Sequence, residues 1–256
     1  MIISGTQVAK EIRANLAASV EQFKSEKSIT PCLTVVLVGE DPASQIYVRN
    51  KVKQTNEVGM TSNKIILDTV VSEAELVNTI KSLNEDNSVH GILVQLPLPP
   101  HINEQKVIAT IAPEKDVDGF HVINTGKLCV GENDALVPCT PQGCIALAKH
   151  HLGDDLSGQH AVIIGRSNIV GKPLSMLFLQ ENCTVTVAHS KTKNLPSICQ
   201  QADILVAAVG RPQFVKQEWV SPGTTVIDVG INRIEDETGA KIVGDVDFDN
   251  VQNKVS

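Results

Sequence analysis

The feature that most constrains this chain is a series of continuous apolar runs rich in Val and Ile that alternate with helical patterns. The runs are CLTVVLVG (32–39), HGILVQLPLP (90–99), HAVIIG (160–165), CTVTVAHS (183–190), DILVAAVG (203–210) and TTVIDVG (224–230). A strand with one wet face alternates apolar and polar residues. Runs without alternation suit strands covered on both faces, as in parallel sheets. The intervening helices have recognisable starts. Ser4 and Gln7 read as a capping box for a helix with Val8, Ile12, Leu16 and Val20 on one face. Asp41 and Pro42 read as N-cap and first residue of a helix ending near Gly59, and Ser72 with Glu75 as a second box ahead of Leu76, Ile80 and Leu83. Thr140-Pro141 opens a helix running to about His151. Strand then helix, repeated, means an α/β fold. The stretch 97–143, containing PLPPHINEQ, PEKDVDGF and VPCTPQG, breaks the rhythm with Pro, Gly and Asp. It reads as the crossing between two α/β units.

Size and charge narrow the function classes. A chain of 256 residues buries enough surface to fold without staples. The net charge is −7 and aromatic residues are 3% of the total, which argues against nucleic acid as the main partner. No apolar stretch is long enough to span a membrane, and the opening MIISGTQVAKEIRANL lacks the apolar core of a secretory signal. Cysteines at 32, 129, 139, 144, 183 and 199 form no C-x-x-C pair, and the histidines are scattered, so no metal site is expected. The thiols read as reduced, in a cytoplasmic protein.

The clearest ligand signal is HAVIIGRSNIVGKPLSMLFL, where a buried strand runs into a Gly-bearing turn and then a helix. Gly165 permits the sharp turn and Gly171 the close approach of the helix, whose first N–H groups can hold a pyrophosphate. The spacing is G-x-S-x-x-x-G rather than G-x-G-x-x-G, so a plain strand-to-helix turn is the competing reading. The next strand ends in His189-Ser190-Lys191, where an NAD site usually places an acid for the ribose hydroxyl. Arg166 and Ser190 with no carboxylate suit a 2′-phosphate, hence NADP. The alternative for Lys191 and Lys193 is a solvated loop. The strands ending in Gly210 and Gly230 mark where a cofactor's ribose and nicotinamide would lie.

The first unit carries a different pattern. Tyr47, the one tyrosine, lies four residues before Lys51, so phenol and ammonium share a helix face. An exposed helix with lysine tails is the competing reading. Gln95 ends an apolar strand, where α/β ligand sites form, or else caps loop backbone. Asp116 and Asp118 in PEKDVDGF are turn residues, or one of them binds an amino-pyrimidine edge through paired hydrogen bonds.

Taken together, VGEDPASQIYVRNKVK, GILVQLPLP, PEKDVDGFHVINTGKL, PCTPQG, VIIGRSNIVGKP, VTVAHSKT and VIDVGIN resemble the bifunctional methylenetetrahydrofolate dehydrogenase/methenyltetrahydrofolate cyclohydrolase (FolD) family, from about residue 3 to 250. The resemblance implies two α/β domains with a cleft between them, the second a Rossmann-like, doubly wound parallel sheet. It implies a folate-binding catalytic domain over 1–138, normally completed by a C-terminal helix that this sequence does not include, and an NADP-binding domain over 139–256. It implies oxidation of 5,10-methylenetetrahydrofolate by NADP⁺, then hydrolysis of the methenyl product to 10-formyltetrahydrofolate, by a homodimer. By the same resemblance Lys51 is the key hydrolytic residue, Gln95 tunes it, Tyr47 lines the folate site and Asp118 anchors the pterin. Gly165, Arg166 and Ser167 form the cofactor turn, with Ser190 near the 2′-phosphate and Ile231 near the nicotinamide. Two other readings stay open: a member that keeps only the dehydrogenase, and a non-catalytic nucleotide-sensing module.

Overall fold

The computed structural model describes residues 1–236 and 239–255. The chain forms two compact units, one of Thr6–Lys127 with Asp134–Leu136, the other of Met1–Gly5, Leu128–Asn133 and the chain from Val137 onward.

In the first unit the elements run α1 (Gly5–Lys27), β1 (Cys32–Val38), α2 (Pro42–Glu57), β2 (Thr61–Leu67), α3 (Glu73–Glu85), β3 (Gly91–Val94), α4 (Glu104–Ile108), a 3₁₀ turn (Pro113–Lys115) and α5 (Val122–Val130). The three strands are parallel in the order β2-β1-β3. Alternate residues of β1 and β3 enter separate cores. Val36, Val38, Ile92 and Val94 pack with Leu76 and Ile80 of α3 on one face. Val35, Leu37 and Leu93 pack with Val48 of α2 on the other. That double cover is why these strands read as unbroken apolar runs. Strand β2 is absent from those runs for the complementary reason: it is a sheet edge, its Thr61, Asn63 and Lys64 are exposed, and Ile66 is itself open to solvent. The helix starts follow local chemistry. Asp41 accepts the Ser44 N–H at 2.8 Å with Pro42 at the first turn, and Ser72 Oγ accepts the Glu75 N–H at 3.2 Å. Helix α1 departs from the simple stripe, since Val8 and Val20 are buried while Ile12 and Leu16 are exposed.

The second unit contains α6 (Cys139–Leu152), β4 (His160–Ile164), α7 (Gly171–Gln180), β5 (Thr184–Ala188), α8 (Leu195–Cys199), β6 (Ile204–Ala207), a 3₁₀ turn (Gln217–Trp219), β7 (Thr225–Asp228), β8 (Asn232–Asp236), β9 (Gly239–Val243) and α9 (Phe248–Val251). Its sheet is parallel, in the order β5-β4-β6-β7, so the chain leaves β4 for one neighbour and later returns to the other. Ala161, Ile163, Ile204 and Val206 face Ala148 of α6 and Leu174 and Phe178 of α7. Val162, Ile164, Leu205 and Ala207 face Cys199 of α8 and Val251 of α9. Helices on both faces of a parallel sheet make this unit doubly wound. The antiparallel pair β8–β9 had no counterpart among the apolar runs, because it is a small exposed hairpin with charged residues.

Phe178 is fully buried against this sheet. Phe178→Ala should lower unfolding free energy by about 3–5 kcal/mol, the cost of an aromatic-sized cavity, read as an earlier midpoint in denaturant melts.

Candidate functional site

In the first unit, α2 buries Val48 toward the sheet, with Val52 partly buried beside it. This leaves Tyr47 exposed and Lys51 half-buried, one turn apart. Lys51 Nζ donates to Gln95 Oε1 at 3.1 Å. Gln95 stands just past β3, its backbone N–H bonded to the Val36 carbonyl at 2.9 Å. Its side-chain NH₂ donates to the Leu96 carbonyl at 2.7 Å, which turns the amide oxygen toward the ammonium. Asp118 lies close enough for the Lys51 charge to act on it. Burial raises the Asp118 pKa above the ordinary carboxylate value; Lys51 pulls it back down and Asp116 pushes it further up. Lys51 thus donates to an amide oxygen, and its charge acts on a largely buried carboxylate. Tyr47 shares the helix face but makes no hydrogen bond to this group among the described residues.

The two acids of PEKDVDGF have different tasks. Asp116 is 1% exposed, and its Oδ2 accepts from the His121 N–H at 2.8 Å and from Asn124 Nδ2 at 3.0 Å. Asn124 also donates to the Pro113 carbonyl, and Asp116 bridges to Ile92 of β3. Asp116 therefore holds the loop, while Asp118 accepts no hydrogen bond among the described residues and is available to a ligand.

In the second unit the register sets Ile164 beside Ala188 and Ala207, so three strands end together. Gly165 follows with φ +131°, and a Cβ there would lie 2.3 Å from the Ala208 carbonyl oxygen. A Cβ on Gly171 would lie 2.1 Å from the Gly165 carbonyl oxygen. Both positions exclude any other residue, and the turn folds tightly onto the start of α7. Ser167 Oγ accepts the N–H groups of Val170 and Gly171 at 3.1 and 3.4 Å. The backbone N–H groups from Arg166 to Ile169 have no acceptor among the described residues. Free N–H groups at a helix start, with the exposed Arg166 guanidinium, suit a phosphate-bearing cofactor. Ser190 is exposed just past the end of β5 and Ile231, 66% exposed, past the end of β7. The sheet edge carrying β4 between β5 and β6 is the switch point at which parallel α/β sheets bind ligands.

Sequence reasoning missed two acids of this unit, Asp228 and Asp245, which bond the loops after β6 and β7. The available signals were V-I-D-V-G around Asp228 and G-D-V-D-F around Asp245, acids, set among apolar residues, whose carboxylates must find donors. Two buried thiols are poor nucleophiles: burial pushes Cys144 up to about 12 and Cys199 up to about 11.

Residues 3–118 match the family described as tetrahydrofolate dehydrogenase/cyclohydrolase, catalytic domain, and residues 138–256 match tetrahydrofolate dehydrogenase/cyclohydrolase, NAD(P)-binding domain. The chain is 57% identical over 246 residues to the bifunctional protein FolD of Cereibacter sphaeroides, covering 96% of this chain and 82% of that one. It superposes on the bifunctional FolD methylenetetrahydrofolate dehydrogenase/cyclohydrolase of Campylobacter jejuni with a TM-score of 0.94 at 45% identity, covering 100% and 89% of the two chains. The Trypanosoma brucei methylenetetrahydrofolate dehydrogenase-cyclohydrolase, solved with NADP cofactor and an inhibitor, superposes with a TM-score of 0.92 at 35% identity, covering 100% and 88%.

The raised Asp118 pKa sets a pH dependence. Between the unfolded value of about 3.9 and the higher folded value, the native chain holds a proton that the unfolded chain has lost, so stability falls as pH rises through that window. Asp118→Asn should flatten this slope, read from denaturant melts taken from about pH 4 upward.

Proposed function

The chain belongs to the tetrahydrofolate dehydrogenase/cyclohydrolase family, and on that premise we propose that Lys51 and Gln95 serve its hydrolytic step and the turn at 165–167 its cofactor. The enzyme is bifunctional: it oxidises 5,10-methylenetetrahydrofolate to the methenyl compound with NADP⁺, then hydrolyses that product to 10-formyltetrahydrofolate. Residues 1–138 make the folate-binding catalytic domain and 139–256 the NADP-binding domain in this reading.

The observation that carries the site assignment is the 3.1 Å bond from Lys51 Nζ to the Gln95 amide oxygen, with the Lys51 charge also acting on the largely buried Asp118 carboxylate. The methenyl carbon is already cationic, so attack by water needs little electrophilic help. It needs a base for the water proton and then a proton for the ring nitrogen that leaves. Lys51 as the free amine takes the first, and as the ammonium it returns the second. Positioned proton transfer of this kind contributes roughly 10²–10⁴-fold. Gln95 aims Nζ, since its own NH₂ is committed to Leu96. Asp118 in its ionised form accepts paired N–H donors from the amino-pyrimidine edge, and Tyr47 lines the same folate site.

NADP⁺, when bound, supplies the hydride acceptor. The chain's part is to hold it: Gly165 and Ser167 give the turn its shape, Arg166 and Ser190 would meet the 2′-phosphate, and the exposed Ile231 would pack by the nicotinamide. The protein acts as a cytoplasmic homodimer in this reading. The outer edge of β5 has no strand beside it among the described residues, and Val187 of that strand is exposed. Cys32, Cys144, Cys183 and Cys199 are free thiols, as a reducing compartment keeps them.

Lys51→Met should abolish hydrolysis of methenyltetrahydrofolate, followed by its ultraviolet absorbance; hydrolysis at the parent rate would refute the base assignment. Arg166→Ala should raise KM for NADP⁺ about tenfold, and leave KM for NAD⁺ nearly unchanged, since a phosphate-directed charged hydrogen bond is lost. Equal loss for both cofactors would show that Arg166 does not read the 2′-phosphate.

A further inference from the structure

We infer that Asp245 is a positioning residue of the cofactor site, bracing the loops that follow β6 and β7; this rests on the cofactor reading above. Asp245 is 0% exposed. Its Oδ2 accepts the N–H groups of Val209 at 2.6 Å and Gly210 at 3.0 Å, and its Oδ1 accepts the Arg211 N–H at 2.8 Å and Asn232 Nδ2 at 2.9 Å. One carboxylate thus joins the loop after β6 to the segment after β7. The neighbouring backbone is shaped around it. A Cβ on Gly230 would lie 2.2 Å from Asp245 Oδ1, so no other residue fits there. Asp228, the last residue of β7, makes the reciprocal bonds: its Oδ1 accepts the N–H groups of Gly230 and Asp245, both at 2.9 Å, and its Oδ2 accepts that of Val246 at 3.0 Å.

The chemistry of the brace explains its use. Three successive N–H groups converging around a glycine at φ +63° form a concave anion site. At 209–211 the protein fills that site with its own carboxylate, so no phosphate can enter. At 166–169 the N–H groups have no such acceptor among the described residues. Asp245 therefore holds two strand-end loops still and leaves the β4 turn as the place for the cofactor's charged part. Asparagine at 245 has the same shape but cannot replace it. Four donors converge on two oxygens, and either orientation of the amide sets its NH₂ against two of them.

The test uses the full chain and two variants. Asp245→Asn should weaken NADPH binding, titrated by fluorescence without folate, by about tenfold or more, the scale expected when buried donors lose an acceptor. KM for NADP⁺ should rise in proportion, with kcat for dehydrogenation and the rate of methenyltetrahydrofolate hydrolysis each within about threefold of the parent, a difference of under 1 kcal/mol. The amides of Val209, Gly210 and Arg211 should exchange faster in the cofactor-free variant. Asn232→Ala cuts only the tie to the second loop and should weaken NADPH binding about threefold, the loss of one modest hydrogen bond. The inference is overturned if folded Asp245→Asn binds NADPH like the parent, or if it loses hydrolysis and dehydrogenation equally, which marks a general structural role. Should Asp245→Asn fail to fold, parent-like NADPH binding by Asn232→Ala overturns it. A parent chain that turns over neither folate would defeat the functional reading instead, and amide exchange at 209–211 would still report on the brace.

Discussion

Each central strand of this protein is covered on both faces, and that constraint decides where anything else can happen. With alternate residues of β1 and β3, and of β4 and β6, entering cores on opposite sides, no face of these strands remains for chemistry. What remains is the edge where parallel strands end together and the chain must turn. Gln95, Gly165, Gly210 and Gly230 all lie just past strand ends for that reason. The backbone polar groups at such an edge have lost their ladder partners, and what each one is given instead shapes the site.

In the first unit the answer is a small set of committed hydrogen bonds. The Gln95 NH₂ is spent on Leu96, so its oxygen is left for Lys51. Asp116 is spent on His121 and Asn124, so the neighbouring Asp118 is left for a ligand. Burial raises the Asp118 pKa, the Lys51 charge lowers it and Asp116 raises it further. In the second unit the same accounting separates one loop from another. The N–H groups at 209–211 belong to Asp245, whereas those at 166–169 are unclaimed among the described residues.

The apolar runs were legible because double cover demands them, and helix starts such as Asp41-Pro42 were legible because capping is local chemistry. Strand β2 and the β8–β9 hairpin were not, since an edge strand or an exposed hairpin needs no continuous apolar run. The stripe on α1 overstated its burial, because period alone does not say what covers a helix. Among the candidate site residues, the Tyr47–Lys51 spacing and the glycines of the turn were visible as patterns in short windows. The division of labour between Asp116 and Asp118, two residues apart in one turn, did not.

The sequence by itself determined two parallel α/β units, the starts of several helices and the tight turn at Gly165–Gly171, because burial period, capping and glycine sterics act over a few neighbouring residues. Only the tertiary structure decided that Gln95 meets Lys51 across 44 positions and that Asp245 meets Val209 across 36. Those pairings depend on which strands lie side by side and in what register, and no local pattern encodes the acceptor that a buried donor finds on a distant loop.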